Sequence, residues 1–269
     1  MRGEYRGLAV SSLGFSMVWF AALYFATAKL SIYSPEGMLV PNTLALFFWL
    51  FLTTGLLALP LAKPTALAFR AMASSKRLLA FFFGYISVHL VIYGFLLERI
   101  LVAVFGAPPG NTGAAVLVSS NFAIQPHTWY NMLLLVTVDP NLTILAPPYY
   151  GVVLGPFSII SALIIAILVV GNFFRLMKVS SAIRKWGGST LIPFAGIVGG
   201  ASCCISIPEL LAAFSPAIYA VTLAPLGVVV LNVLYYALPI SVAVALKLNL
   251  DSLSRVPVKQ NGALRTASM

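Results

Sequence analysis

Charge is nearly missing from this chain. Of its 269 residues only 8% are Asp, Glu, Lys or Arg, and acids are the rarer kind, at 6 against 16 bases. A soluble domain carries about 25% charged residues, so a water-facing surface is excluded. Reactive side chains are equally sparse, with two histidines and two cysteines. A bis-histidine haem needs two histidines within the membrane, and this chain offers only His89 there. A haem-copper core needs a cluster of them. There is no G-x-x-x-x-G-K-[ST] loop, no G-x-S-x-G and no H-E-x-x-H. Paired intramembrane carboxylates, which ion-coupled transporters use, are missing too. These absences predict a protein with no catalytic site of its own and no cofactor bound by itself alone.

What is present is apolar. Hydrophobic residues make up 61% of the chain, and the mean hydropathy is +1.01. A helix needs about 20 apolar residues to cross a bilayer core. Six segments qualify: 8–28, 42–62, 78–98, 149–174, 190–213 and 218–246. The expected fold is an all-α, polytopic membrane protein, with a six-helix domain over 1–249 and a polar cytoplasmic tail over 250–269. The first segment has a small-residue triplet at its end, Ala26-Thr27-Ala28, but it exceeds the roughly 7–15 residues of a signal-peptide core. It is read as a spanning helix.

Basic residues fix the orientation. Arg2 and Arg6 precede the first segment. Lys63, Arg70, Lys76 and Arg77 lie between the second and third, and Arg175, Lys178, Arg184 and Lys185 between the fourth and fifth. Lys247, Arg255, Lys259 and Arg265 follow the sixth. The alternate connections carry only Lys29 and Arg99. By the positive-inside rule both termini are expected in the cytoplasm of a cell whose plasma membrane holds the chain. The net charge of +10 is then a topology signal and an attraction to anionic lipid. Its dispersal among loops argues against a nucleic-acid partner.

The connection from 102 to 148 is long, apolar and extracytoplasmic in this reading. It has no Lys or Arg and one acid, Asp139, with turn signals at Pro108-Pro109-Gly110-Asn111, Asp139-Pro140-Asn141 and Pro147-Pro148. Trp129 and Tyr130 favour the membrane–water interface. The segment is expected to form a lid that lies on the outer surface or dips into the membrane. Either it packs on the protein's own helices or it docks on another subunit. Asn141-Leu142-Thr143 is a glycosylation sequon, a weak pattern at three residues.

Two places carry candidate chemistry. In the fifth segment Gly196 and Gly200 have G-x-x-x-G spacing, with Gly199 beside them, and such faces let helix backbones approach closely. The vicinal Cys203 and Cys204 follow on those stripes, their side chains about 100° apart on a regular helix. Pro208 removes a backbone donor and clashes with the carbonyl of Cys204, four residues back. An opened turn there lets both sulfurs converge on a soft ion, copper or mercury. Ser206 and Glu209 share a face near the outer end. The competing reading is that buried thiols simply pack. In the third segment Tyr85, His89 and Tyr93 recur at helical spacing. They form either a proton or ligand site or a neutral histidine hydrogen-bonded across helices.

The run Gly199–Leu211, with small residues, Cys-Cys, a proline and leucines in a spanning helix, resembles the first helix of mercuric-ion transport proteins. The resemblance implies that Cys203 and Cys204 receive the ion from the outer side. It covers only that run. The pair stands in the fifth helix rather than the first, and no second cysteine pair exists to pass an ion on.

Two functions therefore fit the sequence. One is an accessory subunit of a larger membrane complex, with a respiratory complex as the type in view, whose partners are the bilayer and other membrane subunits. The other is a soft-metal or thiol-handling membrane protein built on Cys203 and Cys204.

Overall fold

The computed structural model describes residues 2–29, 35–92, 95, 99–100, 102–104, 106, 113–120, 122, 128–146, 150–179, 220 and 224–255. The chain is mostly helical. Its elements in order are α1 (Arg2–Lys29), α2 (Pro35–Ala58), α3 (Ala62–Ser74), α4 (Lys76–Ser87) running into a π-helical turn (Val88–Ile92), β1 (Ala115–Ser119), α5 (Trp129–Val138), β2 (Asn141–Ala146), β3 (Tyr150–Leu154), α6 (Pro156–Val179) and α7 (Pro225–Arg255). Four of the described helices are long and apolar enough to cross a membrane, over Gly7–Thr27, Leu39–Ala58, Pro156–Lys178 and Tyr235–Arg255.

Helix α6 is the axis of the bundle. Six successive residues, Ile165 to Val170, are buried, each no more than 1% exposed. A helix apolar and covered on all sides belongs in the core. Around it pack Ala68 and Met72 of α3, Phe82 and Tyr85 of α4 and Leu246 of α7. By contrast only 22% of the α1 span and 28% of the α2 span are buried, against 56% for α6. Leu8, Val10, Phe15, Met17 and Val18 on α1 and Leu39, Leu46 and Leu50 on α2 are exposed.

Helices α1 and α2 form an antiparallel pair closed by aromatic contacts, Phe15 to Phe51, Trp19 to Phe47 and Phe20 to Phe48. Gly55 allows the approach, since a methyl there would stand 2.8 Å from the Leu13 side chain. Helices α6 and α7 run parallel. Ser158 meets Tyr235 near one end, and Arg175 meets Leu253 and Ser254 near the other. Between these ends Asn172 clamps the pair. Its amide donates to the carbonyls of Leu168 and Leu246 (2.8 and 2.9 Å), and its Oδ1 accepts from Asn249 (2.7 Å).

The local signals that shape the elements are ordinary ones. Pro156 and Pro225 open α6 and α7 at the position where a missing N–H costs nothing. Thr128 caps α5, its hydroxyl accepting from the Asn131 N–H. Asp139 ends α5 in an extended conformation, as a residue before proline prefers. The hydroxyls of Ser11, Thr27, Thr43 and Thr54 donate back to carbonyls three or four residues earlier, so these four need no water.

Several expected boundaries move. The third segment (78–98) starts two residues early, at Lys76, where the extended backbone of Ser75 separates it from the helix before it, and Val88–Ile92 within it forms a π-helical turn. The preceding connection is itself a helix, α3, with Pro64, Ala68, Ala71 and Met72 buried and Arg70 on the exposed side. The fourth segment (149–174) begins later than expected. Tyr150–Leu154 pairs as a strand, and Gly155-Pro156 turns the chain into α6. The sixth (218–246) runs to Arg255. The sequence predicts a polar tail from residue 250, but Leu250 and Leu253 are 2% and 1% exposed, seated at helical spacing between polar neighbours. The lid holds a helix and most of an antiparallel sheet in the order β1-β2-β3, Ala115 opposite Leu145 and Leu142 opposite Leu154. The fifth segment, 190–213, lies outside the described residues.

Candidate functional site

A dense polar group among the described residues sits where α5, the sheet, the head of α6 and the Tyr235-Tyr236 level of α7 meet. Asp139 is fully buried there. Its Oδ1 accepts from the Asn141 amide at 2.9 Å, and Asn141 Oδ1 in turn accepts from Ser119 Oγ (2.7 Å) and Thr143 Oγ1 (3.3 Å). One asparagine thus ties β1 to β2 and both to the end of α5. Close by, Thr137 and Tyr236 share a hydrogen bond of 2.7 Å, and Ser158 and Tyr235 one of 3.3 Å. Phe157 packs against both tyrosines and against Trp49. The Trp49 indole N–H donates to the Val136 carbonyl at 2.6 Å.

Gly155 makes this junction fit. A methyl on it would stand 2.7 Å from the Val138 carbonyl oxygen and 3.1 Å from the Val138 Cα. Backbone cannot yield that much without shifting the turn, so any side chain at this position strains the junction. A second buried cluster, Leu23, Ala45, Phe48, Phe122, Met132 and Val136, surrounds the Trp49 contact.

The chemistry of this junction is that of a joint. Its groups are hydroxyls, amides and one carboxylate, bonded to one another and to backbone. Buried polar groups joined in this way fix a unique arrangement. No group of three or more His, Cys, Asp or Glu able to hold a metal occurs among the described residues.

The expected site residues are placed as follows. His89 and Tyr85 are both buried, at 1% and 4% exposure, with ring centroids 5.8 Å apart. The π-helical turn that holds His89 packs against α6 and β3. Tyr93, Gly196, Gly199, Gly200, Cys203, Cys204, Ser206, Pro208 and Glu209 lie outside the described residues. Asp139, Asn141, Trp49 and the Tyr235-Tyr236 pair were not expected as site residues. The one signal for Asp139 was that it is the only acid in 102–148, within an Asp-Pro-Asn turn.

No protein-family model, curated protein or solved structure matches the chain.

Proposed function

We propose that this chain is a non-catalytic integral membrane protein, an accessory or structural subunit of a larger membrane complex, with a respiratory complex among the candidates. In this reading it crosses the plasma membrane six times with both termini in the cytoplasm.

Topology has two supports. Parallel α6 and α7 require the chain between Val179 and Pro225 to travel back the length of α6. The apolar segment 190–213 is long enough for that crossing. The bases Lys63, Arg70, Lys76, Arg77, Arg175, Lys178, Lys247 and Arg255 belong to α3, the start of α4 and the final turns of α6 and α7, elements that meet at one end of the bundle.

The subunit reading rests on β1. This strand is at an edge of the sheet, and Val116, Leu117 and Val118 are 67%, 52% and 77% exposed. Three successive apolar side chains are thus exposed on a strand that pairs on one side only among the described residues. In water such an edge recruits other chains. In lipid an open strand edge is not tolerated, because each backbone group left without a hydrogen bond costs several kcal/mol.

The stagger of the helices places that edge under the same constraint in either frame. Trp49 lies midway along the α2 span, about 15 Å below its start at 1.5 Å per residue, yet it meets Val136 and Phe157 at the head of α6. Bilayer set by α1 and α2 puts the sheet at membrane depth. Bilayer set by α6 and α7 lifts the upper halves of α1 and α2 out of it, with Phe25, Leu39 and Leu46 exposed. Each placement leaves apolar or edge surface that another protein subunit would cover.

The test is site-specific photo-crosslinking in native membranes. A photoreactive residue at Val118 is expected to capture a discrete protein partner, whereas one at Val18 on α1 captures lipid. Lipid adducts alone at both positions would overturn the subunit reading.

A further inference from the structure

We infer that the basic end of the bundle carries a binding site for a phosphate group, borne by a phospholipid headgroup or by a free anion. The site is a cleft of about 370 Å³ between the start of α3 and the last turns of α7, lined by Lys63, Leu67, Leu250, Asp251, Ser254 and Arg255 among others. It falls within the size of small-molecule sites, commonly about 300–1,000 Å³.

The charges favour an anion. Lys63 and Arg255 stand on two different elements that border one cleft, and neither forms an ion pair among the described residues. The one acid in the lining is already engaged, since Asp251 accepts from Lys247 at 3.0 Å one turn away. The carbonyls of Leu253 and Ser254 at the α7 terminus, which would repel an anion, are occupied by Arg175 at 3.2 and 3.1 Å. Among the described residues two cations thus remain for an incoming ligand, and a phosphate suits the pair, since guanidinium binds it through two parallel hydrogen bonds and ammonium as a point charge.

The rest of the lining points to an amphipathic ligand. Pro64 and Leu250 are buried and Leu67 is half-buried, giving an apolar wall beneath the charged rim. The cleft is level with the ends of the apolar spans at Lys178 and Arg255, the depth at which headgroups meet acyl chains. A headgroup phosphate on the rim with its glycerol and first methylenes on the wall uses both features. The inference holds whether or not the chain has partner subunits.

The experiment is native mass spectrometry of the full chain in mild detergent, titrated with phosphatidylglycerol, phosphatidylcholine and inorganic phosphate. Phosphatidylglycerol is expected to bind in preference to phosphatidylcholine, and the double variant Lys63→Gln/Arg255→Gln to weaken it roughly tenfold or more, as removal of two basic contacts to an anionic surface predicts. Both side chains are exposed, so the fold is expected to stand, and Lys63→Arg is expected to retain the lipid. Displacement of the lipid by millimolar inorganic phosphate would identify the free anion as a ligand, and its failure the headgroup. Equal weakening by Arg70→Gln/Arg77→Gln, which removes two exposed charges at the same end but outside the cleft, would overturn the site in favour of diffuse attraction. Unchanged binding in the Lys63/Arg255 double variant would overturn it outright.

Discussion

Single residues at the junction of α5 and α6 decide whether the upper half of the molecule holds together. Gly155→Ala is expected to destabilise the protein by roughly 1–3 kcal/mol, the usual result of forcing a methyl into packed surroundings, because the neighbour it meets is the Val138 backbone. Thermal unfolding in detergent checks this, and an unchanged midpoint would contradict the close approach. Asn172→Leu tests the other clamp. It removes the side-chain bonds to Leu246 and Asn249 and is expected to cost about 1 kcal/mol, within the range of interhelical hydrogen bonds in membranes. For the cysteines the account makes a negative prediction. Cys203→Ser with Cys204→Ser is expected to leave the assembly intact. Loss of a bound copper or mercury ion from the isolated chain on that change would instead make the cysteine pair the functional centre.

The elements differ in how plainly they could be read. Long apolar helices announce themselves by length, and α1, α2, α6 and α7 overlap segments that the hydropathy marks, though their ends differ from those segments by up to nine residues. The sheet was hidden for a physical reason. β2 and β3 are short apolar runs beside turn signals, and periodicity alone does not separate such runs from the ends of buried helices. Tyr150–Leu154 therefore merged with the helix that follows. The extension of α7 past residue 250 was hidden by the polar residues Asp251, Ser252 and Ser254, which alternate with the buried Leu250 and Leu253. The joint around Asp139 and Asn141 was not legible, because its partners come from distant parts of the chain: Ser119 joins Asn141, and Tyr236 joins Thr137. At this scale β1 makes the sharpest prediction. Val118→Lys is expected to change the stability of the isolated chain by no more than about 0.5 kcal/mol, as for an ordinary exposed site, yet to abolish capture by the partner. A large loss of stability in the isolated chain would show that β1 is covered by the protein itself.

For the whole molecule, orientation and assembly are separate questions. Orientation follows from single cysteines placed in a chain whose own two are replaced by serine. Ser75→Cys is expected to react with an impermeant thiol reagent only from the cytoplasmic side, and Gly113→Cys only from the opposite side. Labelling of both from one side would remove the proposed topology. Assembly is the larger claim, and it rests on apolar surface that neither the bilayer nor water suits: the β1 edge, together with either the sheet faces or the tops of α1 and α2. Its most direct test is the native mass of the protein extracted at its natural level in mild detergent. The account predicts a stoichiometric complex with other membrane subunits, far above the 28.8 kDa of the chain. A solitary chain of that mass in its detergent micelle would contradict it.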